Sequence, residues 1–128
     1  MATAARFLNL VNLASERLGA EVVSANDDFF GAKENLIRTE APVASDGRLT
    51  DRGRWVDGWE TRRRREPGQD WCVLRLIGPA IVRGIVVDTA FFRGNQPEAC
   101  ALDGCELSGQ PSAEQLARVG TEPVPPIP

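Results

Sequence analysis

Apolar and polar positions along the chain predict short strands and little helix. Residues 7–19 place apolar side chains at helical spacing, so we expect a short helix there that ends at Gly19. A strand follows over residues 21–25. The polar run 26–28 is typical of a turn, because Asn and Asp side chains hydrogen-bond to nearby backbone. Residues 41–54 contain glycine and proline without an apolar period, which predicts a loop.

The strongest strand pattern lies in the middle of the chain. Residues 71–77 alternate between two faces, and residues 81–92 are β-branched or aromatic on both faces, which predicts a strand buried on both sides. We expect a further strand over residues 98–107. One or two helical turns are expected over 112–119, which open with a capping-box pattern. The final residues 122–128 are rich in proline and cannot continue either element. The pattern therefore predicts an all-β domain with small helical pieces.

Composition narrows the possible chemistry. The chain has 128 residues, of which 42% are hydrophobic and 26% charged, and its formal net charge is −3. That length fits one domain with a core. No apolar run reaches the roughly 18 residues of a membrane span, and the negative charge argues against a general nucleic-acid binder. Histidine and tyrosine are absent, so a site built from this chain must use carboxylates, arginine, amides, hydroxyls, thiols or Lys33.

The cysteines argue against a zinc site and bear instead on the cellular compartment of the protein. Cys72, Cys100 and Cys105 lack the Cys-x-x-Cys spacing of a zinc site, and no histidine can complete one. No secretory leader is evident, so we expect free thiols in a reducing cytosol. We therefore expect a cytoplasmic protein that needs no metal and no cofactor.

Charge is concentrated in one block. Residues 48–65 contain seven arginines against three acidic residues, and residues 50–65 read TDRGRWVDGWETRRRR. Asp57 and Glu60 are the carboxylates beside the tryptophans of this block. Loss of solvation against an indole ring raises the pKa of a carboxylate, which suits it to proton transfer. Asp57 and Glu60 are therefore the candidate catalytic residues.

The arginines of the block suit an anionic ligand. If the chain is extended after Glu60, then Glu60, Arg62 and Arg64 share one face. That face offers a carboxylate and two guanidinium forks to a small substrate with a carboxylate of its own. Four consecutive arginines are also typical of a solvated stretch or of a nucleic-acid contact. The latter predicts binding that weakens steeply with salt, and the net negative charge disfavours it.

Several stretches, in this order, resemble the allantoicase family of allantoate amidinohydrolases of purine breakdown. They read LASERLGAEVVSANDDFF, DRGRWVDGWETRRRR, DWCVLRL and GIVVDTAFFRGNQP, and together they span roughly residues 10–100. The resemblance implies a β-sandwich of the jelly-roll, galactose-binding-like type, with two such repeats in a family chain. It also implies hydrolysis of allantoate to ureidoglycolate and urea, which is a C–N cleavage.

The resemblance places the candidate residues within shared motifs. We hypothesise that Asp57 and Glu60 are catalytic and that Arg62, Arg64 and Asn95 bind the substrate. The arginines would hold the allantoate carboxylate, and the amide and carboxylates would hydrogen-bond its ureido groups. An alternative of another class is a non-catalytic β-sandwich module that holds a small polar or anionic ligand without reacting it.

The resemblance fades toward the C-terminus. After Pro97 the chain reads EACALDGCELSG, which departs from the family pattern. We therefore divide the chain into a partial first repeat, residues 1–111, and a divergent proline-rich tail, residues 112–128. An incomplete jelly roll exposes an unpaired edge. We accordingly expect that a second repeat or another copy of the chain is needed for activity.

Overall fold

A computed structural model of the chain describes residues 6–109, 111–112 and 114–115. Described helical segments are short, and small antiparallel sheets carry the fold. The strands in chain order are β1 (Glu21–Ala25), β2 (Leu49–Thr50), β3 (Gly53–Arg54) and β4 (Cys72–Arg75).

Strands β1 and β4 form an antiparallel pair with the buried core at one face. Val22 lies opposite Leu74, and a bulge falls between Val22 and Ser24. Val22 is 3% exposed and packs with Ala20 and Ile37, the other buried apolar side chains of the described residues. The predicted strand over residues 21–25 is confirmed.

Strands β2 and β3 form a small hairpin within the predicted loop 41–54. Gly53 has a φ of +108° at the end of its turn. The Thr50 hydroxyl donates to the Gly53 carbonyl at 3.1 Å and accepts the Arg52 amide N–H at 3.1 Å. These local hydrogen bonds close the turn without an apolar alternation, which is why the sequence pattern does not reveal the hairpin.

The helix predicted over residues 7–19 is replaced by two 3₁₀ helices, Arg6–Asn9 and Glu16–Leu18. Between them the Asn12 side chain accepts the Ala14 amide N–H at 3.1 Å, which gives the backbone an alternative to helical bonding. Gly19 ends the second helix as predicted, with a φ of +103°. A third 3₁₀ helix, Lys33–Ile37, places Ile37 against β1.

The strand predicted over residues 81–92 is not found. The structure assigns no strand there, and Ile81 and Val86 are 73% and 63% exposed. Residues 98–107 likewise form no strand. A strand exists through hydrogen bonds to a neighbouring strand, and no described residues supply one for either segment. The apolar pattern is therefore present without the partner that would make it a strand.

The chain leaves much of its surface in contact with solvent. Its accessible surface is 10371 Å², whereas a compact monomer of this mass exposes about 6,700 Å². Exposed apolar side chains concentrate in residues 81–92. The described residues therefore do not enclose their own apolar surface.

The predicted capping box is confirmed at the C-terminal end of the described chain. The Gln115 side chain accepts the Ser112 amide N–H at 2.8 Å, and Ser112 Oγ accepts the Gln115 amide N–H at 3.1 Å. The rest of the helical prediction for 112–119 and the proline-rich tail 122–128 lie outside the described residues. Across the described residues, no helix has the length and apolar character needed to cross a bilayer.

Candidate functional site

An open cleft lies where the end of β1 meets the arginine run that precedes β4. Its volume is about 590 Å³. Four guanidinium groups and two carboxylates share it, together with one amide and one aromatic ring. The lining residues are Asn26, Asp27, Phe30, Arg62, Arg63, Arg64, Arg65 and Asp70. We call this the arginine cleft.

Asn26 joins the two strands at the base of the arginine cleft. The backbone N–H of Asn26 donates to the Trp71 carbonyl at 3.1 Å, and the side-chain Oδ1 accepts the Trp71 backbone N–H at 2.8 Å. The side-chain Nδ2 donates to Asp70 Oδ1 at 2.7 Å. These bonds extend the β1–β4 pairing by one position and fix the Asp70 carboxylate.

Asp27 anchors the first arginine of the run. Its Oδ1 accepts the backbone N–H groups of Phe29 at 3.0 Å and Arg62 at 3.1 Å, and its Oδ2 accepts Arg62 Nε at 2.6 Å. Burial acts to raise the pKa of Asp27, but these hydrogen bonds and the Arg62 charge outweigh it. The pKa of Asp27 therefore lies below the ordinary aspartate value. The aspartate stays ionised and holds Arg62 in place.

Asp70 forms a longer ion pair with the third arginine, without a hydrogen bond. Its Oδ2 accepts the Thr61 hydroxyl at 2.8 Å, and its Oδ1 lies 3.7 Å from Arg64 Nη1. The Arg64 guanidinium also lies over Gly68, where an added Cβ would overlap it. Arg62 and Arg64 are thus both positioned by carboxylates that come from outside the arginine run.

Glu60 and Asn95 lie in contact outside the lining of the cleft. Asn95 Nδ2 donates to Glu60 Oε1 at 3.3 Å. The Glu60 backbone forms a two-way bridge with Gly31, with both N–H···O distances at 3.1 Å. An added Cβ at Gly31 would overlap the Gly58 carbonyl oxygen, so only glycine permits this close approach. Gly31 therefore fixes the position of Glu60 relative to the turn after β1.

Asp57 is occupied by contacts to the loop before β2. Its Oδ2 accepts the Val43 amide N–H at 2.8 Å, and its Oδ1 accepts Arg38 Nη1 at 3.3 Å. The side chain is 11% exposed and does not line the arginine cleft. Of the five predicted site residues, Arg62 and Arg64 share the cleft, Glu60 contacts Asn95, and Asp57 lies with a third set of partners.

Sequence reasoning missed the residues that position the arginines. The run 26–28 was predicted to be a turn, and its Asp27 does accept the Phe29 amide N–H as a turn residue would. Its additional contact is to Arg62, and Asp70 similarly reaches Arg64. The pairing of Asp27 joins positions far apart in the chain, and no spacing rule signals it. Asp70 lies close to the arginine run in the chain, but charge alone does not show which of the four arginines it pairs with.

The acidic and cysteine side chains of the described residues do not gather in groups of three as a metal site requires, and the Cys72 thiol is half-buried. Burial raises the pKa of the Cys72 thiol, which keeps it protonated and poorly nucleophilic. The groups that line the arginine cleft are guanidiniums, carboxylates, one amide and one aromatic ring.

The sequence profile of the allantoicase repeat matches residues 11–123. The chain belongs to the allantoicase family. It is 45% identical over 120 residues to a protein named "Probable allantoicase" from Streptomyces coelicolor, in an alignment that covers 86% of this chain and 32% of the relative. A Photobacterium profundum protein of the same name is 46% identical over 113 residues, covering 88% and 34%. The chain thus spans about a third of the length of these allantoicase relatives.

A solved allantoicase structure is also similar. The crystal structure of allantoicase from Saccharomyces cerevisiae matches with a TM-score of 0.46 and 33% sequence identity. The match covers 59% of this chain and 22% of the yeast chain.

Proposed function

We propose that this chain supplies the substrate-carboxylate position of an allantoicase-type hydrolase that converts allantoate and water to ureidoglycolate and urea. The observation that carries the proposal is the pair of positioned guanidiniums in one cleft, Arg62 held by Asp27 and Arg64 held by Asp70. Family membership supplies the substrate class, because the matched relatives are named probable allantoicases.

The state of Arg62 suits carboxylate binding. It donates to Asp27 through Nε, and its two terminal nitrogens have no hydrogen-bond partner among the described residues. A guanidinium held by one carboxylate keeps its fork in place and loses less side-chain entropy when it binds another. Arg64 is held by Asp70 in the same cleft. We assign the allantoate carboxylate to these two arginines.

Proton transfer is assigned to Glu60 in preference to Asp57. Asp57 already accepts a backbone N–H and a guanidinium N–H, so its oxygens are engaged in holding the chain. Glu60 has Asn95 as its described side-chain partner and lies two residues before Arg62. In the proposed step, water adds its oxygen to the central carbon, the C–N bond breaks, and the leaving urea nitrogen receives a proton through Glu60. Asn95 would hydrogen-bond a ureido group.

The remainder of the catalytic unit is proposed to come from further allantoicase sequence. Three features support this: the exposed apolar segment 81–92, the large accessible surface, and the match to about a third of each relative. We propose that the β1–β4 sheet is part of a jelly-roll, galactose-binding-like sandwich, with residues 1–111 as part of its first repeat. A second repeat or another copy would cover the exposed apolar segment.

A cytosolic location is also proposed. Cys72, Cys100 and Cys105 are free thiols, and the last two are exposed. Exposed unpaired thiols are typical of a reducing compartment.

Turnover of allantoate tests the proposed function. The 128-residue chain and a fusion that restores the remaining sequence of the Streptomyces relative are each incubated with allantoate, and urea and ureidoglycolate are measured. We expect turnover by the fusion and little or none by the chain. In the fusion, Glu60→Gln should lower kcat more than it raises KM, whereas the exposed Glu98→Gln serves as the matched control. Absence of turnover in both proteins, with the fusion folded, would contradict the enzyme assignment.

Binding without catalysis is the second candidate function. The carboxylates that line the cleft, Asp27 and Asp70, both position arginines, and neither predicted catalytic carboxylate lines it. A chain with this arrangement can hold an anion without reacting it. Saturable allantoate binding by the chain, together with an inactive but folded fusion, would favour this candidate.

A further inference from the structure

The four arginines of the arginine cleft fall into two classes. Arg62 and Arg64 form ion pairs with Asp27 and Asp70. Arg63 and Arg65 line the same cleft but form no hydrogen bond or ion pair with any described residue. Both of these side chains are exposed. Half of the positive charge of the cleft is therefore left without a counter-charge in the described protein.

The charge of the cleft exceeds what one carboxylate needs. Four guanidiniums and two carboxylates give the lining a net charge of two positive units at neutral pH. Allantoate brings one carboxylate, so a positive charge stays unbalanced when it binds. Neighbouring guanidiniums repel one another, and a bound anion relieves this repulsion. The excess charge therefore favours a second negative group in the cleft.

Both unpaired arginines line the same cleft as the two paired ones. Each guanidinium offers several N–H donors in a planar fork, and neither fork is used by a described carboxylate. Two such free forks in one cleft match the several acceptor oxygens of a tetrahedral oxyanion.

We propose that Arg63 and Arg65 form a second anion position in the arginine cleft, which binds a compact dianionic oxyanion of the phosphate class. This inference rests on the proposed function only in assigning the substrate carboxylate to Arg62 and Arg64. The anion position itself depends on the geometry and charge of the cleft and does not require turnover.

Titration of the full chain with inorganic phosphate at constant ionic strength tests the proposal. The double variant Arg63→Gln/Arg65→Gln is compared with Arg54→Gln/Arg83→Gln, which removes the same charge from exposed positions outside the cleft. We expect saturable binding to the unmodified chain and a loss on the order of tenfold or more in the cleft variant. The matched control should change the affinity less than twofold. Circular dichroism of each variant checks that the fold is unchanged.

The affinities of other anions define which ligands the second anion position binds. Phosphate and sulfate should bind more tightly than acetate, because a dianion balances both free guanidiniums. Tighter binding of glycerol phosphate than of phosphate would show that the oxyanion arrives on a larger ligand, and equal affinity would show a free ion; both results support the position.

Three results would overturn the proposal. They are the absence of saturable phosphate binding by the unmodified chain, an equal loss of affinity in both double variants, and binding of a polynucleotide without binding of phosphate. Because these titrations require no catalysis, their outcome is independent of the allantoate turnover assay.

Discussion

Two apolar stretches of this molecule, both rich in β-branched residues, differ in how far their side chains are buried. Strand β1 pairs with β4 and buries Val22 to 3% exposure, whereas Val86, in residues 81–92, is 63% exposed. The difference is that β1 pairs with a neighbouring strand and buries Val22 beside it, whereas residues 81–92 have no strand partner among the described residues. The Phe7 ring, which lies against Gly84, does not bury that segment. Burial here follows from the partner that is present, not from apolar content.

The arginine cleft lies beside the paired strands β1 and β4. Asn26, Asp27 and Asp70 connect the end of β1 to the arginine run through hydrogen bonds that close within the described chain. The cleft should therefore depend on the β1–β4 region and tolerate changes at the exposed positions of residues 81–92, such as Val86. Substitutions in the two regions should differ in their effect on stability.

Gly31→Ala should have the largest effect. An added Cβ would overlap the Gly58 carbonyl oxygen and approach the Glu60 amide nitrogen to 2.9 Å, so the backbone bridge between Gly31 and Glu60 would open. We expect a loss of roughly 2–3 kcal/mol in the free energy of unfolding, measured by urea titration. Gly78→Ala is the control, because a Cβ there meets no atom within 4 Å. Equal stability of the two variants would show that the bridge is not needed.

Val22→Ala and Val86→Ala apply the same substitution to the buried strand β1 and to the exposed segment 81–92. Loss of two methyl groups from the buried Val22 should cost about 2 kcal/mol, because burial and packing are both lost. The same change at the exposed Val86 should cost less than about 0.5 kcal/mol. Urea unfolding of the two variants measures the difference. A similar loss at both sites would mean that residues 81–92 are buried in solution, for instance against a second copy.

Asp27→Asn should have a smaller effect that depends on pH. The carboxylate accepts two backbone N–H groups and Arg62 Nε, so the variant should lose about 1–2 kcal/mol at neutral pH. The pKa of Asp27 is lowered in the folded chain, so its contribution is present above the unfolded pKa and is lost as pH falls through the folded value.

The stability difference between the unmodified chain and Asp27→Asn should therefore shrink below about pH 4. Asp103→Asn, at an exposed position, provides the control. A difference that stays constant down to strongly acidic pH would contradict the role given to the Asp27 charge.

Local signals in the sequence predicted the ends of helices better than their extent. The ending at Gly19 and the capping box at Ser112 depend on neighbouring residues, and both are confirmed, whereas the helix predicted over residues 7–19 is replaced by two short 3₁₀ helices. The strand over residues 21–25 is confirmed because its partner β4 is present. The strand predicted over residues 81–92 was wrong, because strand formation depends on a partner that periodicity cannot supply. The hairpin of β2 and β3 was missed because side-chain hydrogen bonds, not apolar alternation, close its turn.

The same distinction holds for the candidate site. The arginine run could be singled out from one motif-rich block of the chain, and Asn95 from a separate motif. The contact between Asn95 and Glu60, which are 35 residues apart, was not predicted. The partners Asp27 and Asp70 could not be assigned, because charge alone does not say which of many carboxylates folds back onto which arginine. The tertiary fold determines which carboxylate pairs with which arginine.

Calorimetric titration with allantoate of the full chain, of Arg62→Lys and of Arg83→Lys tests whether the arginine cleft holds the substrate carboxylate. Both variants keep the charge and lose the guanidinium fork, but only position 62 lines the cleft. We expect saturable binding that weakens on the order of tenfold in Arg62→Lys and is unchanged in Arg83→Lys. Equal affinity of the two variants, or no saturable binding by the unmodified chain, would contradict this role of the cleft.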